Sequence, residues 1–304
     1  MNHTWQSHKE RSNPFALQLI RWIALTLGRP IARLTLYPIT LYFLLFASAQ
    51  RKASLQYLNR VLDKKPTLIN VAKHIHCFAS TILDRIYLIS GRFDVLDITF
   101  PSKNMPLEYS HKGTGCILLG SHVGSFEVLR SYALDKCPLP IKILMYEGQT
   151  PMIIKMLNSI NPDVADTIIQ LNGSPNSIIK VKEAVEQGSA VGMLGDRIMD
   201  ENGSEKTVTC TLLGEQVEMP IAPVLIASTL KVPLIVFFGI FQGGNKYQIH
   251  FELLSERVIL SRKNRKQDIQ KYVQNYTNML EKHLIEYPYN WFNFYDYWQE
   301  KNVK

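Results

Sequence analysis

The chain has few cysteines and carries no pattern that marks a metal or nucleotide cofactor. Its four cysteines, spread over 304 residues, are not spaced as Cys-x-x-Cys and stand in the apolar or mixed surroundings typical of small buried side chains. This usage indicates a reducing compartment and argues against a cysteine-bound metal. A P-loop, a Gly-x-Gly-x-x-Gly turn and a zinc-ligand pattern are also missing from the sequence, so we expect no resident cofactor and no metal ion.

The apolar run near the N-terminus is short for a membrane span, and a secretory signal is not expected there. The uncharged run 34–49 has 16 residues, with Pro38 inside it, whereas a helical span needs ~20 apolar residues. No Ala-x-Ala cleavage site follows promptly, which argues against a secretory signal peptide.

Acidic residues are scarce in the first 60 positions. Eight Lys and Arg stand there against one Glu, a net charge of +7 in a chain whose total is +8. Basic side chains interleaved with apolar ones suit a phospholipid surface better than nucleic acid. We therefore predict that residues 14–49 form two helices that lie in or dip into a membrane surface. A buried helical hairpin in a soluble core and a true membrane span are the alternatives.

The hydrophobic period changes from helical to strand-like at about residue 93. Before it, helical spacing covers 50–62 and 66–90; after it, apolar strands alternate with helices, which predicts a largely parallel sheet covered by helices. The expected fold is α/β, with a central mixed, mostly parallel sheet and an N-terminal helical, membrane-facing segment. The chain is expected to divide into the N-terminal helical segment, residues 1–92, and the α/β domain, residues 93–304. The predicted strands are 93–100, 116–120, 141–146, 166–171, 189–195, 206–213, 233–241 and 246–254, and the later helices are 125–135, 151–160, 175–187, 220–230 and 264–286.

The stretch GSHVGSFE, residues 120–127, ends a buried apolar strand with one base and one acid. Five residues on a continuous helix turn by about 500°, so His122 and Glu127 would face apart unless His122 precedes the helix. Gly120 and Gly124 permit a tight turn there, and Ser125 is a plausible N-cap. Glu127 is then expected to reach one ring nitrogen, which makes the other nitrogen a general base for a hydroxyl. A strand-end histidine bonded to backbone is the alternative.

A second predicted strand ends in Gly-Asp-Arg, residues 195–197. Parallel strands present their carboxyl ends at one edge of a sheet, so we expect Asp196 and Arg197 on the same edge as His122. They would position substrate or stabilise charge; a structural ion pair is the alternative. Donors to an oxyanion are expected from the backbone of 120–124 or from Arg197.

Several blocks of the chain, in order, resemble one family. GSHVGSFE resembles the His-x4-Asp/Glu motif of the lysophospholipid and glycerolipid acyltransferase superfamily. The blocks 183–197 and 212–238 resemble its lipid A biosynthesis branch, the lauroyl and myristoyl transferases, and the N-terminal residues resemble a stand-alone subgroup of that branch. The chain departs from that branch in two places, and both concern the acceptor. The lipid A enzymes usually carry an arginine in the region matching 170–176, where this chain has no cation. They also end in a basic tail, whereas residues 287–298 here are aromatic but not basic.

The resemblance implies an O-acyltransferase (EC 2.3.1.-) that moves an acyl group from a thioester to a hydroxyl of a lipid or glycolipid. It implies His122 as base and Glu127 as its orienting acid. Ser121, Gly124, Asp196 and Arg197 would contact substrate. It also implies acyl carrier protein, or else coenzyme A, as the acyl carrier, membrane lipids as partners, and the cytoplasmic face of a bacterial inner membrane as the location. The basic stretch 262–266 would receive the acidic carrier protein, or is simply a solvated helix start.

Two other functions remain open from the sequence. A lipid ester or thioester hydrolase would use water as the acceptor, although a Gly-x-Ser-x-Gly motif is missing because His122 occupies the central position. A non-enzymatic lipid-binding protein would use the same apolar front but would have no need of the base. Nucleic acid is not an expected partner.

Overall fold

The computed structural model describes residues 14–101, 105–129, 139–146, 167–171, 175–198 and 206–298. Its centre is a seven-stranded sheet in the order β1-β9-β8-β2-β5-β3-β4. Strands β2, β3, β4, β5 and β8 run parallel, whereas β9 is antiparallel to β8 and β1 runs with β9. The strands are β1 (Asp97–Thr99), β2 (Cys116–Gly120), β3 (Ile141–Tyr146), β4 (Ile168–Leu171), β5 (Ala190–Leu194), β8 (Leu234–Gly243) and β9 (Lys246–Ser255).

Helices cover the sheet, and a separate two-stranded hairpin pairs β6 (Thr207–Leu212) with β7 (Glu215–Pro220). The helices are α1 (Pro14–Leu27), α2 (Arg29–Leu34), α3 (Leu36–Phe46), α4 (Ser48–Val61), α5 (Leu68–Ile89), α6 (Met105–His111), α7 (Pro175–Glu186), α8 (Ala222–Leu230) and α9 (Arg265–Glu286). Another helix begins at residue 126. The predicted fold class, α/β with a mixed, mostly parallel sheet, is therefore confirmed.

The central strands form because both of their faces are buried. Every residue of β2 is buried, as are the first eight residues of β8, which explains their continuous apolar runs. At β9 only one side is fully covered, and its sequence alternates accordingly. The turn between β8 and β9 uses Gly243 and Gly244, both with positive φ, as the sequence Gln-Gly-Gly-Asn predicts.

Three expectations for secondary structure were wrong in detail. Residues 14–49 were expected to form two helices, but they contain α1, α2 and α3, because Gly28, with a φ of +82°, separates α1 from α2 and the chain breaks again at Thr35. Residues 93–100 were expected to form one strand, but a 3-10 turn occupies Phe93–Val95 and β1 has three residues. Strand β7 was not predicted, because the sequence Glu-Gln-Val-Glu-Met-Pro alternates over few positions and carries two acids. The helix predicted at 151–160 lies outside the described residues.

The N-terminal helices combine an anchored inner side with an exposed apolar side. Asp84 on α5, which is fully buried, accepts hydrogen bonds from Arg29 Nε at 2.8 Å and from the Tyr247 hydroxyl at 2.9 Å. Arg33 donates to the carbonyl of Gly244 at 3.0 Å, so α2 is fixed to the β8–β9 turn. Large apolar side chains nevertheless stay exposed: Leu19, Trp22, Leu27, Ile31, Leu34, Tyr37, Leu41, Tyr42, Leu45 and Phe46.

Length and composition do not identify a spanning helix among the described residues. Taken one at a time, the described helices are too short or too polar to cross a bilayer. The consecutive stretches Arg29–Phe46 and Ser48–Val61 are long and apolar enough to cross a bilayer only when they are taken together. The chain bends by 93° between them.

Candidate active site

Two neighbouring parallel strands bring His122 and Asp196 together. Strands β2 and β5 pair in register, with Gly120 opposite Leu194. Each of the two polar residues follows two positions beyond that pair, so both lie at the carboxyl edge of the sheet, where open α/β sheets bind ligands. The structure thus places Asp196 and His122 at one sheet edge, in the arrangement expected from the two strand ends.

The Asp196 carboxylate holds the His122 ring in one orientation. Oδ1 of Asp196 lies 2.7 Å from Nδ1 of His122, and Oδ2 accepts a hydrogen bond of 3.0 Å from the His122 backbone N–H. A carboxylate accepts only, so Nδ1 carries the proton and Nε2 presents its lone pair. The side chain is 25% exposed, which leaves the ring accessible from outside.

The charge state of His122 follows from its surroundings. Burial and the positive charge of Arg197 lower the pKa of His122 below its usual 6.5, although the Asp196 carboxylate opposes this change. The ring is therefore neutral at pH 7, which is the state a general base requires. The Asp196 carboxylate raises the proton affinity of the ring, and burial keeps the ring unprotonated at neutral pH.

Asp196 stays ionised although its side chain is fully buried. Burial alone would raise the pKa of Asp196, but the ring and backbone of His122 and the nearby Arg197 outweigh it and hold the pKa well below the usual range. Oδ2 also accepts hydrogen bonds from Trp291 Nε1 at 3.0 Å and Asn293 Nδ2 at 3.3 Å. Several N–H donors on one carboxylate stabilise its charged form in a dry site.

The C-terminal segment 289–298 completes the site, and the sequence reasoning missed this role. The backbone N–H of Phe292 donates to the carbonyl of His122 at 2.9 Å, and Gly124 donates to the carbonyl of Asn290 at 2.7 Å. The Tyr297 hydroxyl donates to the backbone carbonyl of Asp196 at 2.8 Å. Asn290 and Asn293, two amides buried within an aromatic stretch, were the available sequence signal, because buried amides need partners.

Arg197 faces this segment rather than His122. Its Nε donates to Asn293 Oδ1 at 2.6 Å and its Nη2 to the carbonyl of Phe292 at 2.9 Å. Its guanidinium also lies over the Tyr295 ring, 5.6 Å from the centroid. These contacts fix the segment beside Asp196, so they give Arg197 a positioning role; its predicted contact with substrate stays a prediction.

Two backbone N–H groups of the turn 120–124 donate to acceptors within the protein. The N–H groups of His122 and Gly124 are both used within the protein, so the expectation that they would stabilise an oxyanion was wrong for these two. The hydroxyls of Ser121 and Ser125 are buried and have no hydrogen-bond partner among the described residues. Ser125 occupies the N-cap position of the helix that begins at residue 126, but its hydroxyl does not cap that helix.

Gly124 is required by the packing of this turn. Its φ is +65°, and a Cβ there would lie 1.9 Å from the carbonyl oxygen of Gly239 on β8. The atoms that this Cβ would meet are backbone atoms of Gly239 and Ile240, which cannot move aside as the end of a flexible side chain can. We expect Gly124→Ala to lower the free energy of unfolding by about 3 kcal/mol or more. Urea denaturation against wild type checks this, with Gly113→Ala as control, because Gly113 also has positive φ but open space around it. Equal losses for both variants would contradict the packing argument.

Glu127 lies in the first turn of the helix that begins at residue 126, as expected, and is buried. Among the described residues, however, the carboxylate hydrogen-bonded to the His122 ring is that of Asp196. The reason is topological, because the strand beside β2 delivers Asp196 to Nδ1 directly. That Glu127 serves the reaction stays a prediction.

His74 on α5 supports the C-terminal segment from the other side. It is fully buried, its Nδ1 lies 2.8 Å from the Ser54 hydroxyl, and its Nε2 lies 2.8 Å from the carbonyl of Trp291. The carbonyl can only accept, so Nε2 carries the proton and Nδ1 accepts from Ser54. Burial lowers the pKa of His74 from 6.5 to about 4, although the bond to Trp291 opposes this shift.

The lowered pKa of His74 makes folding stability depend on pH. The unfolded chain binds a proton at this ring below pH 6.5, whereas the folded protein does so only near pH 4. Stability from this group is therefore complete above pH 6.5 and falls as the pH drops towards 4, by about 3 kcal/mol. We expect His74→Gln, which keeps an N–H donor but does not titrate, to flatten the decline. Unfolding free energies from pH 7 to 4 test this; parallel curves for both proteins would contradict it.

Fold and site together define an α/β protein with a partly exposed histidine held by a buried carboxylate. The family model of bacterial lipid A biosynthesis acyltransferases matches residues 7–300. The chain belongs to this family, and the resemblance read from its motifs is confirmed. Membership implies acyltransferase activity. Comparison with curated proteins gives no significant match.

Proposed function

We propose that the protein transfers a fatty acyl group from an acyl thioester to a hydroxyl of a lipid or glycolipid, with His122 as general base. The observation that supports this most directly is the 2.7 Å contact of His122 Nδ1 with the buried Asp196 carboxylate. It leaves Nε2 as the acceptor on a partly exposed ring that is neutral at pH 7.

The reaction then needs no nucleophile from the protein. His122 Nε2 removes the proton of the acceptor hydroxyl while that oxygen attacks the thioester carbonyl. The tetrahedral intermediate collapses by breaking the carbon–sulfur bond, and the imidazolium returns the proton to the departing thiolate. The products are an ester and a free thiol. Asp196 stabilises the imidazolium between these two steps.

The remaining site residues have proposed roles on the substrate side. Ser121 and Ser125, close to His122 in sequence, have buried hydroxyls without a partner among the described residues, and these hydroxyls are proposed to donate to the developing oxyanion or to the acceptor. Glu127 is proposed to act near the acceptor rather than on Nδ1, which Asp196 occupies.

The acyl carrier is proposed to be acyl carrier protein. Arg262, Lys263, Arg265 and Lys266 are exposed at the start of α9 and form a compact positive surface for an acidic partner. Coenzyme A as carrier is the other outcome of a direct comparison between the two thioesters.

We also propose that α1–α3 rest on a membrane, at the cytoplasmic face of a bacterial inner membrane. Trp22, Leu34, Tyr37 and Phe46 are each more than half exposed, at 58%, 65%, 65% and 64%. Apolar side chains of this size in neighbouring helices, mixed with arginines, suit the interface of anionic lipid.

Transfer of label from acyl-acyl carrier protein into a membrane lipid extract tests the reaction. We expect wild type to label a lipid and His122→Ala to lower the rate by about 10³-fold. The matched control is His111→Ala, because His111 is exposed and lies at the end of α6. Equal rates for all three proteins would contradict the role of His122. Release of free fatty acid alone, abolished in His122→Ala, would identify a hydrolase.

Sedimentation with vesicles of phosphatidylglycerol and phosphatidylethanolamine tests the membrane contact. Replacement of Leu41 and Phe46 by Glu is expected to reduce the bound fraction at least 10-fold, because both side chains are exposed on α3. Ile259→Glu is the control, since Ile259 is 68% exposed but lies between β9 and α9. Equal binding of the two variants would contradict a lipid contact at α3.

A further inference from the structure

Arg85 on α5 is a guanidinium with no counterion in the described part of the chain. Its side chain is partly buried, and its Nε is shielded from water without a hydrogen-bond partner. Burial lowers the pKa of Arg85, which reports the cost of holding its charge out of water. Charged side chains at such depth are normally paired, because an unpaired one destabilises the folded protein.

The nearest acid in sequence does not neutralise Arg85. The carboxylate of Asp84 accepts from Arg29 Nε at 2.8 Å and Nη2 at 2.9 Å, and from the hydroxyl of Tyr247 at 2.9 Å. Both of its oxygens are thus committed to other groups. The Tyr247 hydroxyl stays neutral at physiological pH, because burial raises its pKa well above the usual value.

The helical repeat directs Arg85 towards the site. Seven residues separate Arg85 from Phe78 and eleven separate it from His74, which are about two and three full turns of helix. The three side chains therefore share one stripe of α5. Phe78 lies 5.2 Å from the ring of Phe292, and His74 contacts the carbonyl of Trp291, so this stripe faces the segment that holds His122. The positive charge of Arg85 also reaches His122, where it contributes to the lowered pKa.

We propose that Arg85 binds an anionic group, a phosphate or carboxylate, of the substrate whose reacting atom lies at His122. The guanidinium, which has no counterion among the described residues and lies on the stripe of α5 that faces the site, supports this assignment. A guanidinium offers a planar fork of N–H donors that matches either anion with two parallel hydrogen bonds. The identification of the reacting substrate rests on the proposed acyl transfer; the anion site itself does not. The anion would belong either to the acceptor lipid or to the phosphopantetheine arm of the thioester.

Thermal unfolding without substrate separates this proposal from the proposed function. The proteins are wild type, Arg85→Met and the control Arg262→Gln, whose arginine is exposed. Without added anion, we expect Arg85→Met to unfold at the same or a higher temperature than wild type, because it removes a partly buried charge that has no counterion among the described residues. Inorganic phosphate or acetate, compared with chloride at equal ionic strength, should raise the unfolding temperature of wild type and Arg262→Gln but not of Arg85→Met.

The outcomes of this measurement are decisive in both directions. A response that persists in Arg85→Met, or the lack of any response of wild type to both anions, overturns the proposal. A marked loss of stability in Arg85→Met with the anion response retained assigns Arg85 a structural role and also overturns it. None of these readings depends on acyl transfer.

Kinetics with two donors then identify the source of the anion. One donor is an acyl phosphopantetheine thioester, and the other is the acyl N-acetylcysteamine thioester, which has no phosphate. A KM at least 10-fold higher in Arg85→Lys for the phosphorylated donor alone assigns the anion to the donor. A KM for the acceptor that rises equally with both donors assigns the anion to the acceptor. Unchanged KM for donor and acceptor would overturn the link to the reacting substrate.

Discussion

Asp196→Asn should lower kcat for acyl transfer at pH 7 by about 10³-fold. The asparagine side chain has no charge to stabilise the imidazolium, and its amide N–H groups would oppose those of His122, Trp291 and Asn293. His122 would then lose the fixed tautomer that leaves Nε2 unprotonated. Release of free thiol from an acyl thioester measures the rate, and circular dichroism verifies that the variant is folded.

The pH dependence of the same variant separates Asp196 from Glu127. Since the pKa of His122 lies below 6.5, wild type should hold its full rate at pH 7 and lose it as His122 is protonated at lower pH. Asp196 raises the proton affinity of His122, so Asp196→Asn should shift this acid limb to still lower pH. Glu127→Gln, the matched control, should leave it in place. The opposite pattern would make Glu127 the orienting carboxylate.

Trp291→Ala should lower the free energy of unfolding by about 4 kcal/mol. The side chain is fully buried and packs against the rings of Tyr57 at 5.1 Å, Tyr297 at 4.7 Å and Trp298 at 5.8 Å. Truncation leaves a large cavity between α4 and the C-terminal segment. It also removes the Nε1–H that donates to Asp196 at 3.0 Å, so the buried carboxylate loses a donor.

Urea unfolding of three variants tests the two parts of this argument. Trp291→Phe keeps most of the apolar contact and loses only the donor, so it should cost about 1–3 kcal/mol and lower the rate of acyl transfer as well. Trp22→Ala is the control, because Trp22 is 58% exposed, and its loss should stay within about 0.5 kcal/mol. A Trp291→Ala protein as stable as Trp22→Ala would show that the C-terminal segment does not hold the site.

The sequence was informative where a local pattern carries the information. Short apolar runs predicted β2, β3, β4, β5 and β8, because strands inside a parallel sheet are covered on both faces, and an alternating sequence after Gln-Gly-Gly-Asn predicted β9. The same pattern identified His122 and Asp196 as polar residues just beyond two such strands. Strand β7 was missed because it is a short, half-exposed strand of a separate hairpin, where the apolar signal is weak.

The pairing within the site depended on strand order, which no local pattern contains. Glu127 is close to His122 in sequence and was the natural partner for its ring. Asp196 is 74 residues away, and only the placement of β5 beside β2 delivers its carboxylate to Nδ1. Likewise, Trp291 and Asn293 reach Asp196 because the chain after α9 returns to the carboxyl edge of the sheet.

By itself, then, the sequence determined the α/β class, the strand ends that carry polar residues and the resemblance to the acyltransferase family, since each depends on residues close together in the chain. The tertiary structure decided which carboxylate holds His122, how the aromatic C-terminal segment completes the site, and that the partly buried Arg85 has no counterion among the described residues. These depend on contacts between residues far apart in sequence, whose geometry is set by the order of strands and by the packing of α5 against the end of the chain.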